Sequence, residues 1–205
     1  WFHVTGWPDR LPCGPFSAYT DYVSPRLLLP AVLAAVEHRR RTGEGQYIDL
    51  SQAEASLQFM GQAVLDATVN GRTAERQGND DEVFAPHGTY RAAGEDRWVA
   101  IAVTGDEPWR ALCALLDRPD WACFDADERR RRRRELDRAI ESWTSSCPAG
   151  DLMELLVSRG VAAHQVQNTV EAWEDPQLRH RGHFQQVPHS MMGETWVEGS
   201  RYRLS

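Results

Sequence analysis

The run Leu27–Val36, LLLPAVLAAV, carries no charge and is interrupted only by Pro30. Pro25 suits a first helical turn, and Arg39, Arg40 and Arg41 put positive charge where a helix C-terminus favours it, so a helix is predicted over Leu27–Arg41. Apolar residues occupy most sides of that helix, so it should be covered on most sides. Gly43 and Gly45 provide the turn that follows, and Gln46–Leu50 reads as a short strand. Ser51-Gln52-Ala53-Glu54 then has the form of a capping box, opening a second helix to about Val69 that Asn70-Gly71 stops. Helix, tight turn, strand and capped helix in this order predict an α/β domain.

The flanking regions read differently. Residues 1–20 are rich in proline, glycine and aromatics, with turns at Gly6-Trp7-Pro8-Asp9 and Pro12-Cys13-Gly14-Pro15. Arg72–Gly88 is polar and reads as a long surface loop, a kind of segment that is often functional. Thr89–Arg91 and Trp98–Val103 flank Gly94-Glu95-Asp96 as a hairpin, opening a smaller α+β unit. Helices are predicted around 108–116, 127–144 and 150–159, with a strand over Val161–Val166 and a short helix from Asp175-Pro176. Strand-like stretches follow from Gly182 to Val187 and over Thr195–Val197, and Tyr202–Ser205 forms no evident element.

Charge and composition exclude several functions. The formal charge of −7 repels polyanions, which argues against nucleic acid and anionic membrane surfaces as partners. All 23 basic residues are arginine. Without lysine there is no Schiff-base chemistry, no pyridoxal phosphate linkage and no Walker A loop. Cys13, Cys113, Cys123 and Cys147 form no C-x-x-C pair, so neither a disulfide framework nor a zinc site is expected, and a reducing cytoplasm fits. No apolar stretch reaches the roughly 18 residues of a membrane span, and the N-terminus lacks the pattern of a signal peptide.

Few residues stand out as chemical groups. Asp21 lies where the proline-rich opening turns into the apolar helix, and the positive end of a helix favours a charged carboxylate there. The alternative is that Asp21 or Ser24 is simply an N-cap. Thr42-Gly43-Glu44-Gly45-Gln46 precedes a strand instead of following one, so it fails as a dinucleotide fingerprint and reads as a turn. Arg129–Arg134 is nearly balanced by Asp125, Asp127, Glu128, Glu135, Asp137 and Glu141, the pattern of a solvated helix laced with ion pairs. His87 and His164 are possible acid–base groups without a partner at recognisable spacing. His180, His183 and His189 are too irregular for a metal site. The eight tryptophans read as anchors of a core or of a subunit interface.

Ala18-Tyr19-Thr20-Asp21, the helix ending His38-Arg39-Arg40-Arg41, and Thr42-Gly43-Glu44-Gly45-Gln46-Tyr47-Ile48-Asp49-Leu50-Ser51-Gln52-Ala53-Glu54 together resemble the CaiB/BaiF family, the class III CoA transferases. Gly78-Asn79, the strand at Trp98, Gly160-Val161 and Asp175-Pro176-Gln177-Leu178 extend the resemblance over essentially the whole chain. It implies that residues 1–70 are the C-terminal portion of a Rossmann-like large domain carrying the nucleophile. Residues 71–168 would then be a small α+β domain and 169–205 a linker returning to the large one. It also implies an internal fragment of a longer protein, since the CoA-binding N-terminal half of the family has no counterpart here.

By the same resemblance Asp21 is the nucleophile. It attacks an acyl-CoA thioester to give a mixed anhydride, then an enzyme–CoA thioester from which a carboxylic acid acceptor takes CoA. Coenzyme A is a substrate and no tightly bound cofactor is implied; an interlocked homodimer is. Glu82, Val83, Phe84 and Ala85, with His87 and Gly88 beyond them, correspond to the family's substrate-covering loop, which is glycine-rich in some members. Bulky Val83 and Phe84 there point away from a small dicarboxylate such as oxalate. Two other functions are compatible with the resemblance: α-methylacyl-CoA racemisation, and an inactive binding or dimerisation module. Tyr22-Val23-Ser24-Pro25 in place of glycines after the aspartate favours transfer over racemisation.

Overall fold

In the computed structural model, which describes residues 3–14 and 18–200, helix α1 covers Tyr19–Thr42. It starts well before the predicted Pro25–Leu27, and both Pro25 and Pro30 lie inside it. A proline removes one helical donor without forbidding a turn on its N-terminal side. Here the Ser24 hydroxyl closes that earlier turn by donating to the Thr20 carbonyl at 2.7 Å. Gly43, at φ 82°, ends the helix and returns its N–H to the Arg39 carbonyl at 2.8 Å.

Gln46–Leu50 forms no strand, contrary to expectation, and Tyr47 is 91% exposed. A strand needs a neighbour for its amides, and no described segment pairs with this one. The predicted second helix is broken into α2 (Gln52–Leu57), a 3₁₀ turn (Gln58–Met60) and α3 (Gly61–Asn70). The break falls just before Gly61, where Met60 leaves helical geometry at φ −104° and ψ 14°. Only half of the capping box exists: the Ser51 side chain accepts the Glu54 N–H at 3.3 Å, and Glu54 makes no return bond. Gly71, at φ 66°, stops α3 as predicted.

These elements belong to the first of two units, Trp1–Asp81. Its packing centres on α1 against α2, with Val23, Ser24, Ala55 and Ser56 buried. The loop after α3 turns back through Gly78, whose N–H donates to the Gly6 carbonyl at 2.8 Å. A Cβ at Gly78 would lie 2.7 Å from Trp7 Nε1. The expected covering of α1 is not met within this unit, since Leu29 and Leu33 remain 61% and 60% exposed.

The second unit, Glu82–Ser205, holds the hydrophobic core. Strands β1 (His87–Arg91), β2 (Trp98–Ala102) and β3 (Ala162–Gln165) form an antiparallel sheet in the order β1-β2-β3, with Tyr90 opposite Val99 and Ile101 opposite Ala163. Tyr90, Val99 and Ile101 are buried, and on β2 burial alternates as a one-faced strand requires. That face is covered by α4 (Asp106–Leu115) through Trp109 and Leu112, by Leu136 and Ile140, and by α7 (Ala149–Ser158) through Leu152 and Leu156. Trp109 and Trp121 are core anchors, and the Trp109 indole donates to the Trp121 carbonyl at 2.9 Å.

The helix predicted over 127–144 is two: α5 (Ala126–Arg131) and α6 (Arg133–Thr144), separated at Arg132. In one continuous helix the arginine run would stack like charges at i, i+3 and i, i+4, which is unfavourable. After β3 come α8 (Thr169–Glu174) and α9 (Pro176–His180), then a hairpin of β4 (Phe184–His189) and β5 (Gly193–Glu198). Trp173 packs against Phe184 and Trp196, with ring centroids 4.5 and 5.0 Å away. Pro15 and the terminal Tyr202–Ser205 lie outside the described residues.

Leu136 is fully buried against the sheet. Leu136→Ala should lower stability by about 2–5 kcal/mol, read as an earlier urea midpoint with an unchanged slope.

Candidate functional site

Asp21 is the third residue of α1, in its first turn, and its side chain is exposed. The N-cap is Ala18, with no side-chain cap, so neither Asp21 nor Ser24 plays the capping role that was the alternative. The carboxylate stands close to the positive end of a helix 24 residues long. Pro25, four residues on, cannot supply the amide that the Asp21 carbonyl would otherwise take.

What holds the carboxylate comes from α2. The Gln52 side-chain amide, 31 residues away in sequence, donates to Asp21 Oδ1 at 3.2 Å. Thr20 Oγ1 approaches the same oxygen at a long 3.4 Å. Among the described residues Oδ2 accepts no hydrogen bond. Gln52 is itself anchored through its backbone: Ser56 Oγ donates to its carbonyl at 2.8 Å, and Ser24 Oγ lies 3.4 Å from that same carbonyl. Both serines are buried, at 3% and 5% exposure. Gln52 was not among the residues singled out in the sequence. Its one signal there is its place directly after the helix cap Ser51, and a hydrogen bond between residues this far apart has no local pattern.

Other carboxylates have both oxygens committed. Asp66 is bound by Asn70 Nδ2 and by the Arg72 guanidinium, which hold its pKa low. Asp175 accepts the Gln167 amide on one oxygen at 2.8 Å and the Leu178 N–H, inside α9, on the other at 2.9 Å. Glu128 is shared by Arg132 and Arg131, in that order of effect on its lowered pKa. Such groups are fixed parts of the scaffold.

The loop residues belong to the second unit. Glu82, Val83 and Phe84 are exposed, while Ala85 is buried at 3% and precedes a cis peptide bond to Pro86. The Val83 carbonyl accepts from Arg130 at 2.9 Å, and the Pro86 carbonyl from the Val103 N–H at 2.9 Å. His87 and Gly88 begin β1 opposite Ala102 and Ile101. A Cβ at Gly88 would sit 3.1 Å from the Tyr90 ring. His164 is exposed on β3, and its Nδ1–H donates to the Gln165 carbonyl at 2.7 Å.

An open cleft of about 410 Å³ is lined by Glu128, Arg131, Arg132, Arg134, Glu135 and Arg138. Arg131 and Arg132 are both spent on Glu128, and Arg138 Nε donates to the Arg134 carbonyl at 2.9 Å. This is the ion-pair lattice expected from the sequence. Buried Arg129 points the other way, pairing with Asp106 at 3.0 Å. Among the described residues no group of three or more His, Cys, Asp or Glu could hold a metal ion, and no helix is long and apolar enough to cross a membrane.

The sequence profile described as CoA-transferase family III matches residues 1–205. The succinyl-CoA:mesaconate CoA-transferase of Haloarcula hispanica is 35% identical over 180 residues, which cover 87% of this chain and 45% of that protein. The succinyl-CoA–L-malate CoA-transferase alpha subunit of Chloroflexus aurantiacus is 26% identical over 208 residues, 99% of this chain and 48% of its own. A crystal structure of a CAIB/BAIF family protein from Brucella suis matches the whole chain and 53% of its own, with a TM-score of 0.86 at 24% identity, a likeness of fold. The chain spans about half the length of the curated relatives it matches.

Two of the groups described above can be tested directly. Burial, then the nearby Asp120 charge, pushes the Cys113 thiol up to about 11. Cys113 should therefore resist iodoacetamide at pH 8 while exposed Cys13 and Cys123 are alkylated, as peptide mass spectrometry will report. The Gln167 amide, and then the Leu178 N–H, hold the Asp175 carboxyl below the usual carboxylate range. A folded-state pKa below the unfolded one means that ionised Asp175 stabilises the α8–α9 corner at neutral pH. That contribution should fade as pH falls through the depressed pKa. A carboxyl NMR titration of Asp175 should show a midpoint below that of a free aspartate.

Proposed function

The chain belongs to CoA-transferase family III, and from that premise we propose that it supplies the nucleophile of an acyl-CoA:carboxylate CoA-transferase, with Asp21 as the attacking group. The observation that carries this reading is the one-sided carboxylate: Oδ1 is held by Gln52, and Oδ2 accepts nothing from the described residues. A nucleophile needs one oxygen fixed for aim and the other poorly committed.

In the first step Oδ2 attacks the thioester carbon and the carbon–sulfur bond breaks, so CoA leaves as thiolate and a mixed anhydride joins the acyl group to Asp21. The thiolate then attacks the Asp21 carbonyl carbon and expels the donor acid, leaving CoA on the enzyme as a thioester. The acceptor carboxylate repeats the two steps in reverse order and departs as the new CoA thioester. Division into such steps replaces one difficult exchange by several easier ones.

The similar proteins are named for succinyl-CoA as donor and for mesaconate or L-malate as acceptor. These names support a dicarboxylic acid as the acceptor here, and a further relative, the acetyl-CoA:oxalate CoA-transferase of Acetobacter aceti, 26% identical over 183 residues, keeps oxalate within that class. By the family resemblance, Glu82–Ala85, with His87 and Gly88, is read as the substrate-covering loop of the intact protein. Residues 1–70 are read as the part of a larger domain that carries the nucleophile, 71–168 as the small domain and 169–205 as the return. The uncovered apolar residues of α1 and α3, among them Leu29, Leu33, Leu65 and Val69, support association with further protein surface, as in a homodimer.

In the intact protein, Asp21→Ala and Asp21→Asn should each lower transfer of labelled CoA from succinyl-CoA to mesaconate by more than about 1000-fold with CoA binding retained. Wild-type rates in both variants would remove Asp21 from the mechanism.

A further inference from the structure

We infer that Gln52 is the positioning residue for the Asp21 carboxylate and the hydrogen-bond donor that receives the negative charge developing on Asp21 Oδ1 when CoA thiolate attacks. The inference rests on the reading of Asp21 as nucleophile and deepens it.

The geometry separates the two carboxylate oxygens. Gln52 Nε2 donates to Oδ1, and Thr20 Oγ1 stands near the same atom. Rotation of the Asp21 side chain would break these contacts, so the resting state presents Oδ2 to a substrate and keeps Oδ1 on the α2 side. The two oxygens then have different fates. Oδ2 forms the bond to the acyl carbon and later leaves with the donor acid. Oδ1 remains on Asp21 throughout, as the carbonyl oxygen of the anhydride and then of the enzyme thioester.

When the thiolate adds to the Asp21 carbonyl carbon, the electron pair of that carbonyl moves onto Oδ1. When the intermediate collapses, the pair returns as the bond to Oδ2 breaks. The same happens when the acceptor carboxylate attacks the enzyme thioester and expels thiolate. An amide already bonded to Oδ1 before the reaction needs little movement to meet that charge, which is the economy of a preorganised donor.

The anchoring of Gln52 supports this role. Its carbonyl is the meeting point of two hydroxyls from different helices, Ser56 at 2.8 Å and Ser24 at 3.4 Å, and both serines are buried. Ser24 also donates to the Thr20 carbonyl, immediately before Asp21. The backbones that carry Asp21 and Gln52 are thus tied to each other beneath the surface where their side chains meet. These bonds hold the backbone of residue 52, and the side chain that projects from it meets Asp21 at 3.2 Å.

The test uses the intact protein with succinyl-CoA, following the CoA adduct on the Asp21 peptide by mass spectrometry, together with steady-state transfer and hydrolysis. Gln52→Met keeps the length of the side chain and removes the donor. It should lower adduct formation and kcat for transfer by about 100-fold, with little change in KM for succinyl-CoA and an unchanged melting temperature. Because recapture of CoA by the anhydride is the impaired step, more of the donor should be lost to hydrolysis for each transfer completed. Equal adduct yields in Gln52→Met and wild type would overturn the role of Gln52 while leaving Asp21 in place. So would a loss of activity matched by a fall in melting temperature with no change in the hydrolysis share. Absence of any adduct at Asp21 in the wild type would overturn both readings.

Discussion

The seam between α1 and α2 is the contact on which the candidate site depends. Two serines and an alanine, Ser24, Ser56 and Ala55, line it with Val23, and side chains this small let two helices approach closely. Burying a hydroxyl without a partner costs roughly 1–3 kcal/mol, so each serine must find an acceptor inside the seam. Ser56 finds it in the Gln52 carbonyl within α2, and Ser24 in the Thr20 carbonyl within α1, with a longer 3.4 Å approach to the Gln52 carbonyl. That longer approach crosses between the helices beneath the Asp21–Gln52 bond on the surface.

The two units are stabilised by different means. The second has a core of the ordinary kind, a three-stranded sheet covered on one face by helices, with Val99, Ile101, Trp109, Leu112, Leu136 and Ile140 almost wholly removed from water. The first buries few of its own apolar side chains among the described residues. Its order comes from polar devices: the serine seam, the Asp66 clasp on Asn70 and Arg72, and the Gly78–Gly6 hydrogen bond. A helix as apolar as α1 gains little from those devices along Leu28–Val36, where hydrophobic burial would normally dominate. Leu29 and Leu33 accordingly stay more than half exposed.

The sequence carried the second unit well because alternation and turn chemistry are local. The Gly94-Glu95-Asp96 hairpin, the buried alternation on β2 and the Asp175-Pro176 helix start all appear where the residues predict them. In the first unit the local rules misled at three places. Pro25 suggested a helix start, yet a serine hydroxyl carries the helix back past it to Tyr19. Gln46–Leu50 has strand composition, and among the described residues it lacks pairing, which no residue encodes alone. The Ser51-Gln52-Ala53-Glu54 motif announced a cap, and the cap is there in half; what it did not announce is that Gln52 turns toward Asp21. The aspartate was legible through its motif and its place before the helix. Its partner was not, because the bond spans 31 residues and depends on how two helices pack.

A carboxylate with a single anchored oxygen suits two-stage acyl chemistry better than either extreme. Held at both oxygens, as Asp175 is, it would be a good structural clasp and a poor nucleophile, since each donor must be given up before attack. Held at neither, it would rotate freely and lose the advantage of orientation, which can amount to several kcal/mol of a reaction barrier. One neutral amide is a compromise with a chemical consequence. Unlike an arginine, it does not neutralise the carboxylate in the resting state, so the attacking oxygen keeps its electron density. It still offers an N–H to the oxygen that becomes negative in the intermediate. The absence of lysine from the chain and the pairing of Arg129 with Asp106, and of Arg131 and Arg132 with Glu128, fit the same division. Charge pairs build the scaffold there, and Asp21, the nucleophile proposed above, meets a dipole.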